Sequence, residues 1–148
     1  MKKKEIFFHH KAIQFFAVTL PHKQLRSHPD IGDWQVNADY SPAVISCADT
    51  GNAISNMAIL IHEQHECFRC WMEGVREEDV TRFDQWFFAQ QKEGLLSEDL
   101  EPGHDPRAPY HKFHVEAERM EKQFIEDCGM TWEQHCQNCE SIYAGTSA

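Results

Sequence analysis

One stretch limits what this chain can fold into more than any other. Residues 53–72 contain neither proline nor glycine, follow the turn sequence ADTGN and come just before Gly74. An Asp or Asn in such a turn can cap a helix, and a glycine commonly ends one. The stretch therefore predicts a long first helix. Its apolar run MAILI covers most of the helix surface, so we expect this helix to be buried on most sides.

A small sheet is expected before this helix and two more helices after it. Residues 5–20 and 33–47 contain short β-prone pieces separated by turn residues, which predict two to four strands. Apolar residues recur at helical spacing in the second helix, just after Gly74. A loop with three prolines then precedes a third helix at about residues 110–127.

The predicted fold is therefore α+β, with a small N-terminal β-sheet packed with about three main helices. We expect a single domain over residues 1–148, with a β-rich part over 1–50 and a helical part over 51–140.

The charge balance of the chain limits its partners. Asp and Glu number 24 against 14 Lys and Arg, for a formal net charge of -10, so we expect no nucleic-acid partner. The basic residues 2–4 are followed by an apolar run that His9, His10 and Lys11 interrupt, so we expect no export signal and no membrane span. The six cysteines are then expected to stay reduced in the cytoplasm.

The first helix carries a set of ionisable residues behind its apolar run. His62 and Glu66 are four residues apart and share one helix face, while Glu63 points roughly 100° away. A buried carboxylate without a partner is costly, so Glu66 requires a cation, a proton or a hydrogen-bond donor. The alternative is that this face simply reaches the surface.

The third helix carries a second such set. Its apolar stripe runs through Phe113, Ala117, Met120 and Phe124. Four ionisable residues share the neighbouring face: His111, His114, Glu118 and Glu121. Two helices that each offer imidazole and carboxylate beside a core predict a shared metal site. A solvated face with a Glu–Lys ladder is the alternative.

The pattern His-Glu-x-x-Glu at residues 62–66 differs in its last position from His-Glu-x-x-His, the helix motif of zinc peptidases. By this analogy we expect a zincin-like site with a divalent metal, most simply Zn²⁺. A four-cysteine zinc site is a separate possibility, because Cys67, Cys70, Cys136 and Cys139 form two Cys-x-x-Cys pairs. Free cysteines that only pack in the core are the alternative.

Several motifs also resemble, in order, a family of small uncharacterised bacteriophage and prophage proteins. They are GDW (32–34), the turn ADTGN, IHEQHEC, RFD (82–84), EPGHDPRAPYHKFH (101–114), ME (120–121) and CGMTWEQH (128–135). The resemblance covers roughly residues 26–135. It implies that the shared polar positions form a site, and these are His62, Glu63, Glu66, Asp84, Asp105, Tyr110, His111, His114 and Glu121. The chain departs from the family pattern at His104 and Gln64-His65, and it has extra cysteines at 136 and 139.

Three functions are compatible with these residues. The first is a metal-dependent hydrolase, with His62, Glu66, His111 and His114 as candidate ligands. Glu63 would act as general base and Tyr110 as a hydrogen-bond donor to the oxyanion. The second is a non-enzymatic phage accessory protein whose metal site is structural and whose surface binds a host protein or peptide. The third is a Mg²⁺-dependent nucleotide pyrophosphohydrolase that uses paired carboxylates.

Overall fold

The computed structural model of the chain describes residues 15–25, 30–36 and 43–144. Three strands form one sheet: β1 (Phe15–Leu20), β2 (Gly32–Val36) and β3 (Ala43–Ala48). β3 lies in the middle, parallel to β1 and antiparallel to β2, with Trp34 opposite Ile45. Among the described strands, β2 therefore lies at an edge of the sheet. The β-prone residues 5–14 lie outside the described residues.

The first helix, α1 (Ala53–Glu73), has the ends that its sequence predicts. The Asn52 side chain accepts a hydrogen bond from the Ser55 N–H, which satisfies one of the first backbone donors. Gly74 ends the helix with a φ of 74°, a left-handed conformation that a glycine adopts without steric cost. The residues at the two ends thus determine where α1 begins and where it ends.

Three more helices follow, α2 (Glu77–Lys92), α3 (His111–Asp127) and α4 (Trp132–Ala144). A short 3-10 turn, Pro102–His104, lies between α2 and α3. The α+β class with a small sheet and long helices is confirmed, and α4 is an addition that the sequence interpretation did not include.

α1 is the centre of the packing, since it contacts α3 on one side and β2 and β3 on the other. The apolar core joins residues of the sheet to residues of the helices. It includes Trp34, Ile45, Ile59, Leu60, Cys67, Cys70 and Phe113. The polar residues of α1 that face α3 and β2 are consequently enclosed by protein. Among the described residues, no helix is long and apolar enough to cross a membrane.

Candidate metal centre

Three side chains from two helices converge where α1 meets α3. His62 and Glu66 lie one turn apart on α1, and His114 lies in the first part of α3. The His62 Nε2–His114 Nδ1 distance is 3.2 Å and the Glu66 Oε2–His114 Nδ1 distance is 3.0 Å. The third side, from His62 Nε2 to Glu66 Oε2, is 3.7 Å.

These distances have the dimensions of a metal site. Ligand atoms bonded at about 2.0 Å to a tetrahedral ion lie about 3.3 Å from one another. The three ligand atoms of His62, Glu66 and His114 all lie within 4.8 Å of one another. We call this set the triangle. His62 and Glu66 are buried, whereas the His114 side chain keeps 15% of its surface exposed and is the most accessible of the three.

The triangle favours positive charge. Burial by itself would raise the pKa of Glu66, but hydrogen bonds from His114 and His62 lower it to about 2, so this carboxylate is ionised. Burial opposes a charge on His62, yet its hydrogen bonds to Glu121 and Glu66 hold its pKa well above the usual value. Without a metal ion, the His62 ring therefore readily takes up a second proton and becomes positively charged.

Further carboxylates make the surroundings acidic. Burial, followed by the charges of Asp84 and Glu101, raises the pKa of Asp30 to about 7. Burial also raises the pKa of Asp84 to about 6, and the Glu66 charge contributes although the hydrogen bond from Tyr110 opposes the rise. Carboxylates that raise one another's pKa are stabilised when a cation lies among them.

Hydrogen bonds from residues outside the triangle orient two of its members, Glu66 and His62. The Trp34 indole donates to Glu66 Oε1 over 2.9 Å, so strand β2 orients the carboxylate of α1. His62 Nδ1 lies 2.8 Å from Glu121 Oε2, and the other oxygen of Glu121 lies 2.7 Å from His135 Nε2. Four elements, β2, α1, α3 and α4, thus position one small group of atoms.

Glu63 lies on the β2 side of α1. Gly32 of β2 approaches it so closely that a Cβ on residue 32 would overlap the Glu63 carboxylate. Burial, and next the charge of Glu66, raises the pKa of Glu63 well above its usual range. A raised pKa makes the ionised carboxylate a stronger base, but a general base must also be kept ionised, which requires positive charge nearby.

Tyr110 is buried, and its hydroxyl donates to Asp84 Oδ1 over 2.5 Å. Its ring centroid lies 6.2 Å from that of His114. Asp84 is thus a half-buried hydrogen-bond partner of Tyr110.

The fourth candidate ligand, His111, points elsewhere. Its Nδ1 lies 2.9 Å from the Gly103 carbonyl oxygen, and this hydrogen bond connects α3 to the 3-10 turn. A Cβ on Gly103 would overlap the His114 ring, so this glycine lets the turn pack closely on His114. The turn also brings the exposed Glu101 and His104 into a second possible ligand group, which shares His114.

The cysteines form no ligand group within residues 15–25, 30–36 and 43–144. Cys67 and Cys70 are buried in the apolar core, and burial raises the pKa of the Cys67 thiol to about 12. Cys139 packs against the same core from α4. The four-cysteine zinc site that the spacing allows is therefore not assembled.

Comparison of the chain with family models, with curated proteins and with solved structures finds no match. No related protein therefore assigns a role to the residues of this site. Sequence reasoning identified all three members of the triangle, and it placed Glu121 on the correct face. It assigned no role to Trp34 or His135, although both lie in the quoted motifs GDW and CGMTWEQH.

Proposed function

We propose that this chain is a zincin-like metal-dependent hydrolase that binds one Zn²⁺ through His62, Glu66 and His114. The observation that carries the proposal is the triangle, with sides of 3.0, 3.2 and 3.7 Å. Two imidazoles and one carboxylate are a donor set that Zn²⁺ takes in catalytic sites. The acidic surroundings, with Asp30 and Asp84 nearby, further favour a divalent cation.

The number of ligands supports catalysis. Among the residues that the structure describes, the group around His62 has three members, whereas purely structural zinc sites have four protein ligands. A Zn²⁺ held by three ligands acts as a Lewis acid and lowers the pKa of a water molecule in its fourth position.

Glu63 is the proposed general base. Its position next to the ligand His62 resembles that of the Glu in the zinc peptidase motif. Its carboxylate is enclosed against Gly32, and burial raises its pKa, so it can hold a proton taken from water. β2, at an edge of the described sheet, lies beside it and carries Asp33 and Trp34.

A second function is favoured by the burial of His62 and Glu66. An ion that joins α1 to α3 would stabilise the fold even without any catalysed reaction. The chain would then be a non-enzymatic phage accessory protein that binds a host protein or peptide in the host cytoplasm. A Mg²⁺-dependent pyrophosphohydrolase is disfavoured, because the triangle includes two imidazoles and Mg²⁺ prefers oxygen ligands.

Elemental analysis of protein purified without added metal tests the proposal. Wild type should hold about one zinc per chain at its three-ligand site, and His62→Ala should lose it. His65→Ala is the matched control, because His65 lies on the same helix but contacts Glu116. Metal-free wild type that takes up no zinc on addition, or zinc retained by His62→Ala, would contradict the proposal.

A further inference from the structure

Glu121 is a buried carboxylate between two imidazoles from two other helices. Its Oε2 lies 2.8 Å from His62 Nδ1, and its Oε1 lies 2.7 Å from His135 Nε2. All three residues are at most 8% exposed. Each of its two oxygens thus faces an imidazole nitrogen, and these contacts determine where the ring protons lie.

His135 carries its ring proton on a defined nitrogen. Its Nδ1 is buried and has no hydrogen-bond partner among the described residues. A proton on that nitrogen would be a buried donor without an acceptor, which is unfavourable. The proton of a neutral His135 therefore lies on Nε2 and is donated to Glu121 Oε1.

Glu121 in turn determines which ring nitrogen of His62 carries the proton. A carboxylate that already accepts a hydrogen bond from His135 is stabilised in its ionised form, and an ionised carboxylate can only accept. His62 must then donate from Nδ1. In the neutral ring its Nε2 consequently carries the lone pair, and Nε2 is the atom that faces Glu66 and His114.

We propose that Glu121 and His135 are positioning residues that fix His62 in its Nδ1–H tautomer and so present Nε2 to the metal ion. This inference rests on the proposed function. His135 never touches the ion and acts through two hydrogen bonds. Such partners behind a histidine ligand typically contribute 10- to 100-fold in metal affinity.

Trp34 performs the equivalent task for the carboxylate ligand. Its indole N–H donates to Glu66 Oε1 over 2.9 Å, which leaves Oε2 at the triangle. The two buried ligands are thus each held from the side that does not face the ion. This arrangement joins strand β2 and helix α4 to a site whose ligands lie only on α1 and α3.

The Glu121→Gln variant tests the tautomer directly. The amide is nearly the same shape, but its NH₂ group would donate to His62 Nδ1 and move the ring proton to Nε2. Zinc affinity, measured by competition with a chelator, should fall about 10- to 100-fold. Glu118→Gln is the matched control on α3, since Glu118 contacts His104 and Lys122. Zinc affinity unchanged by Glu121→Gln, with zinc still lost in His62→Ala, overturns this inference and leaves the proposed function standing.

Two further measurements do not depend on whether Glu121→Gln folds. Nitrogen-15 NMR of zinc-loaded wild type should give His62 a proton on Nδ1 and a metal-bound shift on Nε2, and the reverse assignment overturns the inference. His135→Gln keeps a donor for Glu121, so it should bind zinc more tightly than His135→Leu. Equal affinities for these two variants would also overturn it, and absence of zinc from wild type would remove both the inference and the proposed function.

Discussion

Gly32 and Glu63 are packed so closely that a Cβ on residue 32 would displace the Glu63 side chain. A Cβ built there would lie 2.7 Å from Glu63 Cδ and 2.8 Å from Cγ, well inside van der Waals contact. A side chain on residue 32 would therefore move the proposed base from its position beside β2. The position of Glu63 is thus determined by packing as well as by its place on α1.

Gly32→Ala should destabilise the protein, although alanine is otherwise better than glycine in a strand. The collision is expected to cost about 1–3 kcal/mol in the free energy of unfolding. Denaturant unfolding of Gly32→Ala, Glu63→Ala and the double variant measures this. If the collision is the cause, Gly32→Ala should cost clearly less when Glu63 is already alanine; equal costs in both backgrounds would contradict this interpretation.

Glu63→Gln should keep the metal and abolish any hydrolytic activity. The residue lies against Gly32 and outside the triangle, so ligand geometry is retained, but an amide cannot take the proton from water. Zinc content and peptidase activity are measured on the same preparation. A Glu63→Gln variant as active as wild type, alongside ligand variants that lose zinc and unfold, would favour the structural metal site.

Asp30 should make the metal-free protein less stable as the pH rises. Burial, with the charges of Asp84 and Glu101, raises its pKa from 3.8 to about 7 in the folded state. Between these values the folded chain holds a proton that the unfolded chain releases, so stability falls with rising pH and levels off above about 7. Asp30→Asn removes this loss, and its advantage in Tm over wild type should grow from pH 4 to pH 7.

Thermal unfolding in the presence of a chelator checks this prediction. Asp79→Asn is a control of opposite sign, because hydrogen bonds from Arg76 lower the pKa of Asp79 and stabilise the ionised form above pH 4. That variant should therefore lose stability where Asp30→Asn gains it. An Asp30→Asn advantage that does not change with pH would show that its carboxyl is not perturbed.

The cysteines should have no effect on zinc content. Cys67 and Cys70 are buried in the core, and no described cysteine belongs to a possible ligand group. Cys136→Ser and Cys139→Ser, singly and together, are expected to retain the zinc content of wild type when measured by elemental analysis. Loss of one zinc per chain in the double variant would indicate a second site.

Local signals in the sequence were sufficient to locate α1 and α3. The stretch 53–72 lies within α1, Ala53–Glu73, and residues 110–127 coincide with α3, His111–Asp127, except at one residue. Both helices have an apolar stripe and clear ends. The spacing of His62 and Glu66 then placed them on one face, so two of the three members of the triangle followed from helical geometry alone.

α4 was not predicted, although its start carries a local signal. The Thr131 hydroxyl accepts a hydrogen bond from the Gln134 N–H, and the Gln134 side chain accepts one from the Thr131 N–H. This reciprocal pair is a capping box, readable as Thr-x-x-Gln. Apolar residues also recur at helical spacing in it, at Trp132, Cys136, Cys139 and Tyr143, although the only residue that it buries is His135. Both signals were therefore readable, but the two cysteines were interpreted as candidate metal ligands instead.

The hydrogen bonds that Trp34 and Glu121 make to the triangle could not be predicted from the sequence, for a different reason. Trp34 and Glu66 are separated by 32 positions, and His62 and Glu121 by 59. Contacts at such separations depend on how the sheet and helices pack, and neither spacing nor periodicity specifies them. Tyr110 and Asp84 likewise meet only because α2 and α3 approach each other at the 3-10 turn.

Anomalous diffraction at the zinc edge, from crystals of protein grown with one equivalent of Zn²⁺, locates the bound ion itself. One dominant peak is expected about 2.0–2.2 Å from His62 Nε2, His114 Nδ1 and Glu66 Oε2, with Glu121 remaining hydrogen-bonded to His62 Nδ1. A dominant peak at Glu101 and His104 or at a cysteine, or no peak within bonding distance of His62, would contradict the proposed metal centre.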